Sequence, residues 1–274
     1  LVNATKPALV SLFQDLEKVR WGHFYPSIAP SKIRAVSFDE VGTAVELVEI
    51  IGWPVEGAVC TYHFDGSPLE VAEDRQVIGE HLERLFEGRE MKYMNILALE
   101  NCASETFVEE VGLLGFCPAE TWTIMAMEDL SPFTDGPTDQ LPESLEVRLI
   151  DTLDDFKRFV KCIEPFYQHF YRDFDEDAVV NQQMRSWGIF EKDSGDCVCT
   201  AQLFNHGQNT AIVGAVSTAE KWRRRGLASH LMTHALQHAI KKDDIQVALL
   251  QATSMAINMY KKMGFQTVGS TLFL

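Results

Sequence analysis

The pattern of apolar and polar positions is most regular in the C-terminal half of the chain. Between residues 227 and 240 apolar pairs recur every four positions, which predicts a helix with one buried face. Residues 210–216 and 245–250 are continuous apolar runs, which predict strands exposed on neither face. This half therefore combines buried strands with an amphipathic helix, as expected of an α/β domain.

Shorter signals predict the elements between these segments. Thr152 is a predicted N-cap with Asp155 as its acidic capping partner, and Gly264 is a predicted helix stop. The other expected elements are strands at 145–150, 187–191, 197–204 and 267–274, helices at 151–163, 173–185 and 254–263, and a hairpin turn at 205–209. The resulting order, βααβββαβαβ, predicts a mixed α/β domain.

A break in the pattern precedes this domain. Residues 131–142 contain three prolines, a glycine and small polar residues, which can form neither a helix nor a central strand. We therefore predict a linker at residues 131–144, between a first domain at 1–130 and a second domain at 145–274.

The charge of the chain changes at the same place. Its 274 residues include 40 acidic and 24 basic ones, a net charge of −16, which argues against general binding to nucleic acids or anionic membranes. Residues 1–140 hold 24 acidic and 9 basic residues, a net of −15, whereas residues 141–274 are near neutral at −1. The two halves are therefore chemically different.

Apolar segments and cysteines bear on the compartment. No stretch approaches 18 consecutive apolar residues, and the first residues lack a basic region followed by an apolar run, so we expect neither a transmembrane helix nor a signal peptide. The six cysteines form no CxxC pair, and Cys197 and Cys199 lie two apart, a poor spacing for zinc. These features predict a cytoplasmic protein with unpaired thiols and no metal site.

A basic loop joins the apolar strand at 210–216 to the amphipathic helix. Arg223, Arg224 and Arg225 precede Gly226 at the predicted helix start. A helix N-terminus presents unpaired N–H groups and about half a positive charge, so the segment is a candidate cradle for a phosphate or pyrophosphate. The alternative is a solvated charge run before an ordinary helix.

Two motifs in this half resemble signatures of the GNAT acetyltransferase superfamily. Residues 223–228, Arg-Arg-Arg-Gly-Leu-Ala, match the R/Q-x-x-G-x-G/A signature that binds acetyl-CoA in that family. Residues 251–265 are similar to the second signature, which often reads A-S-x-x-G-x-x-x-Y-x-x-x-G-F, although Thr253 and Ala256 depart from its Ser and Gly. The resemblance covers about residues 145–274.

The resemblance implies a fold and a cosubstrate. The implied fold class is α/β, with two GNAT-like domains that are each a mixed, mostly antiparallel twisted sheet flanked by helices. The implied cosubstrate is acetyl-CoA, with no metal. The residues that would bind it are Val216, Ser217, Thr218, Arg223, Arg224, Arg225, Gly226, Leu227, Ala228 and Ser229.

The resemblance also implies a mechanism, in which an acceptor amine attacks the acetyl thioester directly. Tyr260 matches the family tyrosine that protonates the departing CoA thiolate, with simple packing as the alternative. Ser254 is a candidate assistant near the same sulfur, or else a helix cap. For the base, His169 is a candidate, with a simple packing or surface histidine as the favoured alternative, and Glu164 or a chain of waters are other candidates.

The first half resembles a degenerate copy of the second. A gapless pairing of residues 95–116 with 244–265 places identical residues on the motif anchors, and it sets Val111 opposite Tyr260. Three acidic residues stand where the basic loop would be, before a predicted helix at 75–86: Glu70, Glu73 and Asp74. We therefore predict an internal duplication whose first copy has lost the CoA site.

The expected function is N-acetylation of a primary amine on an unidentified small molecule or peptide. Two alternatives remain, a catalytically silent CoA-binding or regulatory module and an acyltransferase that uses a longer acyl-CoA or acylates an O-nucleophile. Acceptor selectivity is expected in the loops at 165–173 and 205–209, where aromatic residues indicate a partly apolar amine or peptide end. The oligomeric state stays open.

Overall fold

The computed structural model describes the backbone of four strands before residue 120, and residues 120–135, 140–163, 184–205 and 209–273. The described strands are β1 (Ile33–Ser37), β2 (Glu46–Ile51), β3 (Gly57–His63), β4 (Met91–Ala98), β5 (Glu120–Met127), β6 (Leu145–Leu149), β7 (Met184–Glu191), β8 (Cys197–Asn205), β9 (Thr210–Thr218), β10 (Val247–Ala252) and β11 (Gln266–Phe273). The described helices are α1 (Leu153–Cys162), α2 (Leu227–Asp243) and α3 (Ile257–Met263), with short 3-10 helices at Ser131–Phe133 and Glu220–Trp222.

The chain forms two compact units that do not follow chain order. The first unit comprises Ala4–Met125 together with two C-terminal segments, Gln251–Ile257 and Thr267–Leu274. The second unit comprises Ala126–Leu250 and Asn258–Gln266, together with the first three residues. The predicted boundaries of a first domain, a linker and a second domain remain a prediction, since they were drawn along the chain alone.

The second unit is a mixed, twisted sheet with flanking helices. Strands β6, β7, β8 and β9 are antiparallel neighbours in that order, and β10 joins β9 in parallel. Helices α1 and α2 both pack on β8, and α2 also contacts β7 and β9. The predicted α/β fold class is thus confirmed for this part of the chain.

The core of the second unit lies around β8 and α2. Every residue of β8 from Cys197 to Phe204 is buried, because helices and neighbouring strands cover both faces. Helix α2 buries residues at the predicted helical spacing, namely Leu227, Leu231, Met232, Ala235, Leu236 and Ala239. The predicted buried face of α2 also included Ala228 and Ile240, which are only half-buried.

The start of α1 agrees with its predicted cap. The backbone N–H of Asp155 donates to Thr152 Oγ1 at 3.2 Å, as expected of an N-cap. The Asp155 carboxylate lies 3.4 Å from the guanidinium of Arg148, with which it forms an ion pair. The cap therefore forms through Thr152, while the acidic partner engages a neighbouring strand.

The first unit has its own ladder of strands. Strands β1, β2 and β3 are antiparallel neighbours, and β4 joins β3 in parallel. Strand β11 then pairs with β4 antiparallel, with Ser270 opposite Ala98, and it lies between β4 and β5 in the strand order. The C-terminal strand of the chain therefore completes the sheet of the N-terminal half.

Three predicted elements differ from the structure. The predicted helix at 173–185 is wrong at its end, where Met184 and Arg185 already belong to β7, and its other residues lie outside the described part. The predicted helix at 254–263 begins only at Ile257, because a turn closed by Ala256 N–H and Thr253 O precedes it. Of the predicted buried strand at 210–216, only 210–213 is buried, and residues 214–218 are half-buried.

The gapless pairing of the two halves is also wrong in its register. It sets residues 95–98, at the end of β4, opposite residues 244–247, which are the loop after α2 and the first residue of β10. The strand topology instead matches β4 with β10, since each joins a preceding strand in parallel. A few identities in a short window did not determine the register. The predicted helix at 75–86 and Val111 lie outside the described residues.

The segment predicted as a linker carries defined contacts where it is described. Phe133 is buried in the short 3-10 helix, and Gln237 of α2 donates to the carbonyl of Thr134 at 3.1 Å. Farther on, the Lys192 N–H donates to the Ser144 carbonyl at 2.9 Å. These described stretches are therefore packed onto the second unit. No helix in the described part of the chain is long and apolar enough to cross a membrane.

Candidate functional site

The C-terminal end of β9 has an open edge. Its parallel pairing with β10 ends at Val213 and Leu250, yet β9 continues to Thr218. Over these last five residues the described ladder joins β9 to β8 alone. Backbone groups on the other edge are therefore available to a ligand that runs alongside the strand.

A bulge shapes this open segment. Ser217 lies opposite Thr200 and Gly214 opposite Gln202, so β9 has two residues where β8 has one. Within the bulge Ala215 adopts a φ of 49°, a left-handed conformation that costs a non-glycine residue about 1–2 kcal/mol. The surrounding contacts must therefore offset the energetic cost of this conformation for it to persist.

Side chains from two other elements hold the segment after the bulge. The hydroxyl of Thr200, which is fully buried, donates to the Ala215 carbonyl at 2.7 Å and accepts from the Ser217 N–H at 3.2 Å. Ser217 Oγ in turn donates to the carbonyl of Cys162 at 3.0 Å, and Cys199 Sγ lies 3.3 Å from Thr218 Oγ1.

Helix α2 begins with its first N–H groups open. Gly226, the residue before the helix, has a φ of 77°, and a Cβ there would meet no atom within 4 Å. The first helical bond runs from the His230 N–H to the Gly226 carbonyl, so the N–H groups of Leu227, Ala228 and Ser229 precede it. No side chain caps them, and the first turn holds no acidic residue. This end of α2 fits the pyrophosphate cradle that the sequence predicts.

The three arginines before Gly226 differ in their roles. Arg223 Nε donates to the Thr218 carbonyl at 2.9 Å and so joins the loop to the end of β9. Arg225 stacks 4.7 Å over the ring of Trp222 and donates to the Lys221 carbonyl at 3.2 Å. Arg224 is exposed and has a φ of 62°. The triplet is therefore a turn with defined contacts, and all three of its arginines are exposed.

Trp222 adds a feature that the sequence analysis missed. Its Nε1 is buried and makes no hydrogen bond within the described residues. Leaving a buried donor unpaired costs about 1–3 kcal/mol, so this N–H is suited to a partner from a ligand or water. Its ring meanwhile supports Arg225, which fixes the turn that leads into α2.

Tyr260 lies on α3 with 4% of its surface exposed, and its ring meets Phe265 edge-on at 5.8 Å between centroids. Burial, and secondarily the Cys199 thiol, raises the pKa of its phenol above the usual value of 10. Burial likewise raises the pKa of Cys199 to about 12. Both groups therefore stay protonated at neutral pH. Because Cys199 also contacts Thr218, Tyr260 belongs to the same neighbourhood as the end of β9.

The other two candidate catalytic residues stand apart from this arrangement. Ser254 is exposed in the turn before α3 and lies three residues ahead of the first helical residue, which is not a capping position. His169 and Glu164 lie outside the described residues, as do most of the two loops predicted to select the acceptor. Among the described residues no group of three or more His, Cys, Asp or Glu could hold a metal ion.

Comparison with known families identifies the domain that carries this site. The described site combines an open β9 edge with an uncapped helix that begins after a glycine. Residues 148–265 match the model of the acetyltransferase (GNAT) family, and this part of the chain is a GNAT domain. No curated protein sequence matches the chain.

Solved structures of similar fold span most of the chain. A GCN5-related N-acetyltransferase from Kribbella flavida shares 17% identity over 89% of each chain, with a TM-score of 0.61. A tandem GNAT protein from the clavulanic acid biosynthesis pathway shares 15% identity over 84% of this chain and 77% of its own, with a TM-score of 0.61. A Drosophila protein shares 14% identity over 97% and 95%, with a TM-score of 0.58. The tandem GNAT arrangement predicted from the sequence agrees with these neighbours.

Proposed function

We propose that the protein is an N-acetyltransferase that transfers the acetyl group of acetyl-CoA to a primary amine of a small molecule or peptide. The observation that carries the proposal is the pairing of an open, bulged β9 edge with the uncapped start of α2 in a GNAT domain. The open edge of β9 suits the pantetheine arm, and the start of α2 suits the pyrophosphate. The tandem GNAT neighbour is described as the form without AcCoA, which supports the same donor.

The donor-binding residues would act mainly through their backbones. The N–H groups of Leu227, Ala228 and Ser229 would bind the pyrophosphate, because the helix dipole favours negative charge there. Leu227 is a buried residue of the α2 core face, so we assign its part to the backbone N–H at the helix start. Val216, Ser217 and Thr218 would hold the pantetheine arm along the open edge, and the arginine turn would add positive charge.

The reaction joins the acceptor nitrogen to the acetyl carbon and breaks the thioester bond to CoA. Acetyl-CoA supplies the activated acetyl group when bound. The backbone of β9 near Val216 would donate to the carbonyl oxygen as negative charge develops on it. Holding both reactants in one cleft supplies the entropic advantage. His169, Glu164 or a chain of waters would accept the proton that the amine must lose.

Tyr260 would give its proton to the departing sulfur. Its pKa above 10 makes the phenol a weaker acid than in water. The same burial makes a thiolate beside it a stronger base, because desolvation disfavours both anions. Donation to the leaving group therefore stays favourable, while loss of the proton to solvent at neutral pH does not occur. Ser254 is the weaker candidate for a role near the same sulfur, since it is exposed.

The remaining assignments complete the proposal. Residues 145–274 would carry the chemistry and residues 1–130 would be a degenerate GNAT-like domain without a CoA site, joined by the segment 131–144. The charge balance and the apolar pattern support a cytoplasmic enzyme that binds neither nucleic acid nor membrane. The acceptor is an amine whose selection we assign to the loops at 165–173 and 205–209.

The test combines binding with turnover. Calorimetric titration with acetyl-CoA should show binding, and release of free CoA thiol should appear with at least one member of a panel of small amines and peptide N-termini. Binding without thiol release across the panel would favour a silent CoA-binding module. Release only with longer acyl-CoA donors would favour a different acyl group. Absence of binding to any acyl-CoA would end the proposal.

A further inference from the structure

We propose that Thr200 is a positioning residue, which holds the bulged end of β9 in the shape that acyl transfer requires. This inference rests on the proposed function and assigns a role to a residue outside both sequence signatures. Thr200 lies on β8, is fully buried, and makes two hydrogen bonds to the backbone of β9 with one hydroxyl group. It does not touch the donor itself.

The two bonds span the bulge from one side to the other. Thr200 Oγ1 donates to the carbonyl of Ala215 at 2.7 Å and accepts from the N–H of Ser217 at 3.2 Å. Val216 is the one residue between these two anchored groups. The orientation of the Val216 backbone, which we assign to the donor carbonyl, is therefore set by a side chain on the neighbouring strand.

The hydroxyl also replaces bonds that a regular ladder would supply. The pairing passes from Ser217 opposite Thr200 to Gly214 opposite Gln202, which interrupts the exchange of backbone bonds between the strands. Ala215 is in the left-handed region at the interruption. A half-buried carbonyl left unpaired at this place would favour a different local conformation, so the Thr200 bond stabilises the bulge itself.

The other contacts of the segment do not duplicate this role. Ser217 Oγ donates to the Cys162 carbonyl, and Thr218 Oγ1 contacts Cys199 Sγ. Both contacts involve side chains that follow the bulge, whereas Thr200 alone among these residues binds backbone groups on both sides of Val216. Loss of Thr200 should therefore change the backbone geometry near the acetyl group and leave the pyrophosphate cradle at Gly226 intact.

The test compares three variants with the wild-type protein. Thr200→Val keeps the shape of the side chain and removes both bonds, whereas Thr200→Ser keeps the hydroxyl. Ser186→Ala is the matched control, because it removes another buried bond of the same sheet, from Gln202 Nε2 to Ser186 Oγ at 2.9 Å. Thermal unfolding is measured for each, followed by acetyl-CoA affinity, KM and kcat of thiol release.

We expect Thr200→Val to lower kcat by about tenfold to a hundredfold, with acetyl-CoA affinity within about threefold of wild type. Thr200→Ser and Ser186→Ala should keep kcat within about threefold. Equal loss of kcat in Ser186→Ala, or unchanged kcat in Thr200→Val, would overturn the positioning role. If Thr200→Val does not fold, Thr200→Cys gives the same comparison through a much weaker hydrogen-bonding group of similar size.

A structural measurement separates this inference from the proposed function. Amide hydrogen exchange at Ser217 should become faster in Thr200→Val and stay unchanged in Ser186→Ala, whether or not acetyl-CoA is the donor. An unchanged Ser217 exchange rate in Thr200→Val would contradict the inference even in an active enzyme. A wild-type protein that neither binds nor uses any acyl-CoA would contradict the proposed function alone.

Discussion

The first and second units share a strand order but differ at one strand. In each unit a series of antiparallel strands ends in a parallel pair. The parallel pair is β3 with β4 in the first unit and β9 with β10 in the second. All seven residues of β3 pair with β4, from Gly57 to His63, and β3 pairs with β2 without a shift of register. Strand β9 instead leaves its partner at Val213 and carries a bulge.

This difference indicates that the topology alone does not create a donor site. A strand that is paired along both edges has no backbone groups left for a ligand, whereas the bulged strand has an open edge over its last five residues. Strand β3 has neither a bulge nor an open edge in the described ladder, which supports the proposal that the first unit does not bind CoA. The site depends on local departures from a regular sheet, and those departures can be tested.

Removal of the C-terminal strand should give the largest effect, and it should fall on the first unit. Deletion of residues 267–274 removes the pairing of β11 with β4 and the bond from Gln251 Nε2 to Thr271 Oγ1. We expect the amides of β4 to lose protection from hydrogen exchange, because β4 would become an unpaired edge. Amides of β8 in the second unit serve as the internal control. Retained protection in β4 would show that β11 is dispensable to the first unit.

Substitution of Gly226 should abolish donor binding without disturbing the rest of the second unit. Gly226→Glu puts a carboxylate at the start of α2 and a side chain on a residue with a φ of 77°, although the space beside it is open. We expect loss of acetyl-CoA affinity by at least about a hundredfold in calorimetric titration. Gly226→Asn is the control for backbone strain, since asparagine tolerates this conformation without added charge. Retained affinity in Gly226→Glu would mean that the cradle lies elsewhere.

Loss of the Tyr260 hydroxyl should slow turnover and spare binding. Tyr260→Phe keeps the edge-on contact with Phe265 while it removes the proposed acid. We expect kcat to fall by at least about tenfold with acetyl-CoA affinity nearly unchanged. Because the pKa of Tyr260 lies above 10, the wild-type rate should show no loss from its ionisation between about pH 7 and about pH 10. Unchanged turnover in the variant would leave Tyr260 as a packing residue.

The smallest predicted effect concerns acid sensitivity of the second unit. Burial, and secondarily the neighbouring His230 and His238, lowers the pKa of His234 below its usual 6.5. The unfolded chain therefore binds a proton at a higher pH than the folded one, so stability falls as the pH drops below about 6.5. His234→Asn should reduce the loss of thermal stability between about pH 7.5 and about pH 5.5. An identical pH dependence in both proteins would contradict this assignment.

Sequence patterns predicted what depends on periodicity and on short backbone motifs. The stripe of α2, the Thr152 cap and the glycine at the start of α2 follow from residues close together in the chain, and the structure confirms them. The matched family model also falls on the two signatures. The start of α2 was predictable to this extent because helix starts are local structures.

The rest depends on partners that are distant in the chain. The bulge at Ala215 needs Thr200 on another strand, and the burial of Tyr260 brings it near Cys199, so neither could be deduced from local pattern. The sequence of β9 indicated a uniformly buried strand, because its apolar residues do not reveal where the parallel partner ends. The gapless pairing of the halves failed for a similar reason, since strand register is set by the whole sheet.

The position of β11 has a consequence for the order in which the protein can form during synthesis. The strand that completes the sheet of the first unit is translated after every described strand of the second unit, and it pairs with residues about 175 positions earlier. The edge of β4 that pairs with β11 therefore stays unpaired while the GNAT signatures are still being translated. The final pairing joins residues far apart in the chain, so it is a slow step. A chain stalled before residue 267 would hold the described residues of the candidate site and would lack β11. The N-terminal half alone therefore does not contain every strand of the first unit.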